Sequence, residues 1–229
     1  MMRLIFVVEG PTEEAFVNET FRPHLLERGV YASATIVGTP KRRGSAPLIK
    51  GGGDWSRWER DLRRVLGEQR GSDVRVTTMF DLYGLPEGFP GLSEHGTCLD
   101  TRKRCGLLEN ALSEFFDDWR LIPYLQRHEF EALVLASLDV LEDLLDAEDD
   151  LRGLADLRTE IGMQAPEDIN DGKQTAPSKR IEACIPGYRK TLHGPLAAGG
   201  ANLTILCDQC PRFSSWLGRL EALAEGEED

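Results

Sequence analysis

The 229-residue chain has no apolar run of the roughly 18 or more residues that cross a bilayer. Its apolar opening, residues 4–8, is shorter than the core of about 7–15 residues that a secretory signal needs. Neither export nor membrane insertion is expected, and the sequence points to the cytoplasm. Cysteine is too sparse and too irregular for a disulfide framework. The five, Cys98, Cys105, Cys184, Cys207 and Cys210, are odd in number in a chain large enough to bury its own core, so reduced thiols are expected. Internal repeats and low-complexity tracts are also missing, which excludes solenoid architectures. What remains, at 41% hydrophobic and 29% charged residues, is an ordinary globular domain, or one with a helical extension.

Excess positive charge is lacking too. Net charge is −12, the reverse of the usual nucleic-acid footprint. The excess is local, however: residues 139–150 carry seven acids and no base, and residues 221–229 carry five acids. Without these two stretches the chain is neutral. Basic clusters at Lys41-Arg42-Arg43, between Arg57 and Arg64, at Arg102-Lys103-Arg104 and at Lys179-Arg180 are left to meet phosphates, so net charge decides little about partners.

Residues 3–9 form a short run rich in branched side chains, bounded by Gly10-Pro11, and read as a central strand buried on both faces. Thr12, followed by Glu13 and Glu14, predicts a capped helix running toward Glu27. A second strand is predicted at 31–37, and 38–53 reads as loop. Trp55, Trp58, Leu62, Val65 and Leu66 recur at helical spacing behind Asp54 as cap. A third strand at 73–80 ends on Asp81, a helix follows at 107–119, and a fourth strand at 120–125. Strands separated by helices imply an α/β fold with a parallel sheet flanked by helices. Beyond His128 a helix at 129–145, a polar loop at 164–175, a short helix opening at Pro177-Ser178 and a final amphipathic helix at 213–224 give a helical, loop-rich C-terminal part. The expected division is a core at 1–137 and an extension at 138–229 packed on it.

In open parallel sheets, ligands bind beyond the carboxyl ends of the strands. Three of the four predicted strands finish near acids: Glu9, Asp81, and Glu129 with Glu131. Carboxylates meeting at one point repel unless a hard divalent cation lies among them, and magnesium or manganese is the natural occupant. Each acid also has a plainer reading. Glu9 could accept amide hydrogen bonds from the following helix, Asp81 could cap its turn, and Glu13 and Glu131 could be first-turn acids that suit a helix dipole.

The segments Val8-Glu9-Gly10-Pro11-Thr12-Glu13, Phe80-Asp81-Leu82-Tyr83-Gly84-Leu85-Pro86, Gln126-Arg127-His128-Glu129-Phe130-Glu131-Ala132-Leu133, Pro177-Ser178-Lys179-Arg180-Ile181 and Cys210-Pro211-Arg212-Phe213 occur in that order. Together they resemble a bacterial family of unknown function within the TOPRIM superfamily, commonly encoded beside an ABC-type or OLD-type ATPase. The resemblance implies a TOPRIM-like, Rossmann-like sheet of about four parallel strands with a helical C-terminal extension. It also implies magnesium bound by a glutamate after the first strand, matched by Glu9, and by an aspartate pair after the third, matched by Asp81. The second aspartate of that pair is Tyr83 here. By the same resemblance Glu129 or Glu131 supplies the missing oxygen, Glu13 assists, and Lys179 is the lysine near the scissile phosphate. Arg180 and Lys41, Arg42 and Arg43 are then the groups that position nucleic acid.

Three function classes follow. The first is a magnesium- or manganese-dependent TOPRIM-like nuclease acting on DNA or RNA with a separately encoded ATPase, in defence against phage. The second is a non-catalytic module docking on that ATPase, with the homo-oligomeric state left open. An enzyme acting on a small nucleotide ester is a third, which an acidic surface would tolerate. His128 lacks the spacing of a zinc protease, and Cys207 and Cys210 form a lone Cys-x-x-Cys without a partner pair. Gly51-Gly52-Gly53 lacks the lysine and hydroxyl of a nucleotide-binding loop, so ATP hydrolysis by this chain is not expected.

Overall fold

The computed structural model describes residues 1–38, 54–69, 71–170 and 172–224. The loop expected at 38–53, with Lys41, Arg42 and Arg43, lies outside these residues apart from Gly38. The chain forms two compact units, Met1–Gln126 together with the segment from Leu220, and Arg127–Arg219. Among the described residues, no helix is long and apolar enough to cross a membrane.

The first unit is built on strand β1 (Met2–Val8), whose Leu4, Phe6, Val7 and Val8 are fully buried. It pairs in parallel with β2 (Val30–Ile36) on one side and β3 (Val74–Asp81) on the other. β3 in turn pairs in parallel with β4 (Leu121–Ile122) and β5 (Leu125–Gln126), giving the order β2-β1-β3-β4 with β5 also on β3. The α/β fold with a parallel sheet flanked by helices is therefore as expected, with five strands instead of about four. The strand predicted at 120–125 is two short pieces, and the residues between them explain the break. Pro123 has no N–H to donate to a ladder. At Tyr124 the hydroxyl of Thr78 stands in for the neighbouring strand, accepting from the Tyr124 amide at 2.9 Å and donating to its carbonyl at 2.8 Å.

Parallel neighbours need long crossovers. The first runs through α1 (Pro11–Phe16), a π-helical turn (Val17–Phe21) and α2 (Arg22–Leu26). Thr12 is not the cap that the sequence suggested. Gly10 precedes the helix in extended conformation and Pro11 takes its first turn, where a missing N–H goes unnoticed, so Thr12 is buried inside the helix. Phe21 stacks on Phe6 at 5.2 Å and meets Phe16 edge-on at 5.1 Å. The second crossover contains α3 (Trp55–Glu68), capped by Asp54, whose carboxylate accepts from the Ser56 amide at 2.6 Å. The third holds α4 (Leu92–His95) and α5 (Thr101–Phe116). α5 opens earlier than residue 107 because Asp100 caps it, accepting from the Lys103 amide at 3.0 Å. Trp58, Leu62 and Leu66 of α3 with Leu108 and Leu112 of α5 form one core with Val7, Val76 and Phe80 of the sheet.

The second unit is helical: α6 (Glu131–Leu135), α7 (Leu138–Asp143), α8 (Glu148–Ile161), α9 (Pro177–Cys184), α10 (Lys190–Gly200), α11 (Asn202–Gln209) and α12 (Pro211–Glu221), the last belonging to this unit as far as Arg219. The single helix expected at 129–145 breaks at Ala136 and Ser137, where the Ser137 hydroxyl donates to the Leu133 carbonyl at 2.8 Å. Gly153 sits so close to the Cys184 carbonyl that a side chain there would collide with backbone, which is how α8 and α9 approach.

Candidate carboxylate site

Glu9 follows β1 directly and Asp81 ends β3, so the register that pairs Val8 with Met79 delivers both acids to the carboxyl edge of adjacent central strands. After Asp81 the chain turns tightly, the Gly84 amide donating to the Asp81 carbonyl at 3.0 Å. The Glu9 carboxylate lies on this turn. Its Oε2 accepts from the Asp81 amide at 3.3 Å, and a Cβ at position 84 would stand 2.5 Å from both of its oxygens. Glycine at 84 is thus required for space: any side chain would occupy the place the carboxylate takes. Asp81 is 6% exposed, and Glu13, 4% exposed, folds back beside Gly10.

The structure thus brings Glu9 to Asp81. Two carboxylates on neighbouring strand ends are donors of the type that magnesium and manganese take, and in chemistry they fit a hard cation. Among the described residues, no set of three His, Cys, Asp or Glu is grouped to hold an ion. Tyr83 stands where the family resemblance expects a second aspartate. Its ring packs against the core of the first unit, with the Arg104 guanidinium 5.9 Å from the ring centre.

The remaining expected residues lie in the second unit. Glu129 accepts from the Ser178 amide at 3.1 Å, at the start of α9. Glu131 is fully buried. Its Oε2 meets the Lys190 ammonium at 3.0 Å, and its Oε1 has no hydrogen-bond partner among the described residues. Burial pushes the Glu131 carboxyl above the usual glutamate range despite the pull of Lys190. The Tyr188 hydroxyl is likewise buried and without a hydrogen-bond partner among the described residues, and burial with the nearby Glu131 charge pushes it upward. Lys179 is exposed and paired with Glu182 at 2.8 Å, a contact that raises its ammonium above the ordinary lysine range. Arg180 bonds to Glu160 and donates to the Thr175 carbonyl at 2.9 Å. His128 is buried with its Nε2 3.0 Å from the Glu167 carbonyl. Cys207 and Cys210 form no disulfide, and burial raises the Cys210 thiol.

Sequence reasoning passed over Gly84 and Lys190, and met Arg104 only within the basic cluster Arg102-Lys103-Arg104. Gly84 was within a quoted motif, but its space requirement appears only when Glu9 is placed. Two open surface clefts, of about 440 and 470 Å³, are lined by Asp118, Trp119 and Arg120 and by Glu94, His95 and Glu114, and neither includes Glu9 or Asp81.

A family model described as "Domain of unknown function (DUF4276)" matches residues 8–221, spanning every one of these acids. The chain belongs to the DUF4276 family. A search of curated proteins finds no match to this DUF4276 chain. Two solved structures are similar to it. The C-terminal region of the Burkholderia pseudomallei OLD protein is 18% identical with a TM-score of 0.47, covering 98% of this chain and 99% of that one. The C-terminal region of the Xanthomonas campestris pv. campestris OLD protein is 14% identical with a TM-score of 0.42, covering 98% and 97%.

Proposed function

We propose that this DUF4276 chain is a magnesium- or manganese-dependent nuclease of TOPRIM-like type, hydrolysing phosphodiester bonds of DNA or RNA, with Glu9 and Asp81 as its metal-holding carboxylates. The observation that carries this reading is the seat of Glu9 on Gly84 against the Asp81 amide, at the carboxyl edge of two central parallel strands. A divalent cation bound there would polarise a phosphate oxygen and ease ionisation of water. The chain's own residues do the rest: the Asp81 amide orients Glu9, and the glycine turn keeps the carboxylate from being crowded out. Glu13, Glu129 and Glu131 are the further acids of the proposed metal set. Lys179 is the proposed cation for charge developing in the transition state, with Arg180, Lys41, Arg42 and Arg43 as phosphate-positioning groups. On the family resemblance, the proposal extends to regulation by a separately encoded ABC-type or OLD-type ATPase and to defence against phage.

One observation favours a second reading, a non-catalytic module that binds such an ATPase. Tyr83 stands where a second aspartate belongs and is packed against the core. Cleavage of plasmid, single-stranded DNA and tRNA with manganese separates the two. Activity that disappears in Glu9→Gln with Asp81→Asn supports the nuclease. No cleavage by the unmutated chain, with its ATPase present, supports the module.

A further inference from the structure

Position 83, two residues after Asp81, holds a tyrosine where the family resemblance expects an acid. Its ring carries the Arg104 guanidinium at 5.9 Å, within cation–π range, and Tyr83 lies between Asp81 and the Gly84 on which Glu9 rests. Arg104 comes from the first turn of α5, held by a bond from its Nη1 to the Gly96 carbonyl at 2.9 Å. Among the described residues no carboxylate forms an ion pair with it, and its Nε is buried with no hydrogen-bond partner. Elsewhere in the first unit, arginines such as Arg63, Arg64 and Arg120 are neutralised by neighbouring acids. Arg104 is fixed by a carbonyl and an aromatic ring alone, both of which leave its charge intact.

We propose that Arg104 is a phosphate-binding residue of the carboxylate site, so that position 83 holds a guanidinium through its ring where a second acid would hold metal. The inference rests on the nuclease reading for its substrate class. With Nε buried and Nη1 on the Gly96 carbonyl, Nη2 is the nitrogen through which Arg104 would meet a phosphate oxygen.

The test reads binding without cleavage. A labelled, hydrolysis-resistant oligonucleotide of about 12 nucleotides, in DNA and RNA forms, is titrated in calcium by fluorescence anisotropy over a range of salt. Arg104→Gln is expected to weaken binding about tenfold and to lower the slope of log affinity against log salt by about one. Arg104→Lys is expected to keep the slope and to fall between the two in affinity. Tyr83→Leu, which leaves the arginine but removes its seat, is expected to weaken binding with Arg104 present, while Tyr83→Phe is neutral. Unchanged affinity and slope in Arg104→Gln overturn the proposal, as does failure of the unmutated chain to bind either oligonucleotide. Binding that depends on Arg104 without any cleavage would sink the nuclease reading alone. Cleavage that depends on Glu9 and Asp81, with Arg104→Gln binding normally, would sink this proposal alone.

Discussion

Replacing Gly84 by alanine puts a methyl group where the Glu9 carboxylate lies. The new Cβ would stand 2.5 Å from both carboxylate oxygens and 2.8 Å from the carboxyl carbon, so the carboxylate must retreat by about 1 Å to regain van der Waals contact. The obstacle is the far end of a flexible side chain, and Gly84 is not among the glycines with positive φ, so the backbone accepts alanine without strain. Stability is therefore expected to hold, or to rise by up to about 1 kcal/mol through a less flexible unfolded chain. A misplacement of about 1 Å in a catalytic group costs on the order of 100-fold in rate, or about 2.7 kcal/mol in the barrier. The assay pairs manganese-supported cleavage with a thermal melt on the same preparation. Gly67→Ala serves as control, since a Cβ there meets nothing within 4 Å. Cleavage by Gly84→Ala at the unmutated rate would refute the argument that this carboxylate must sit where it does. So would a loss of activity that merely tracks a lowered melting temperature.

Other outcomes follow from the ion pairs and caps. Asp118 takes hydrogen bonds from the amide of Arg120 at 3.0 Å and from its guanidinium at 2.9 and 2.6 Å, which hold its carboxyl below the ordinary aspartate range. The stability this lends is present above the unfolded pKa of about 3.9 and is lost as pH falls through the lower folded value. Asp118→Asn is thus expected to cost about 1–2 kcal/mol at pH 7 and progressively less below about pH 4, read by melts across pH. A constant difference across that range would contradict it. Lys190→Met leaves the fully buried Glu131 carboxylate without its ammonium, an expected loss of about 3 kcal/mol in urea unfolding, part of which the added Glu131→Gln change should restore. Strictly additive effects would mean that the pair does not interact. Glu167 is fully buried and accepts from the amides of Arg212 and Phe213 at 3.0 and 3.1 Å, so Glu167→Ala is expected to cost about 2 kcal/mol, whereas Glu167→Gln should cost less.

The strands at 2–8 and 74–81 were legible because buried parallel strands are rich in branched residues, and Glu9 and Asp81 were legible because they close these two. Where the reading went astray, a single side chain overrode the pattern. Asp100 starts α5 six residues before the apolar spacing begins. The Thr78 hydroxyl replaces a strand at Tyr124, and Pro11 with Gly10 takes over the start that Thr12 was expected to make. The role of Gly84 was hidden because it depends on a residue 75 positions away, as the 2.5 Å contact with Glu9 makes plain. Arg104 was visible only as part of a basic cluster, since nothing in Arg102-Lys103-Arg104 tells which of the three reaches Tyr83.

Glu9 and Asp81 are proposed to hold a divalent cation together. Titrating the chain with manganese and following the free ion by electron paramagnetic resonance tests it without reference to any substrate. Uptake that the unmutated chain displays and that Glu9→Gln with Asp81→Asn abolishes is the expected result. Equal uptake by both, or none by the unmutated chain, would contradict the account.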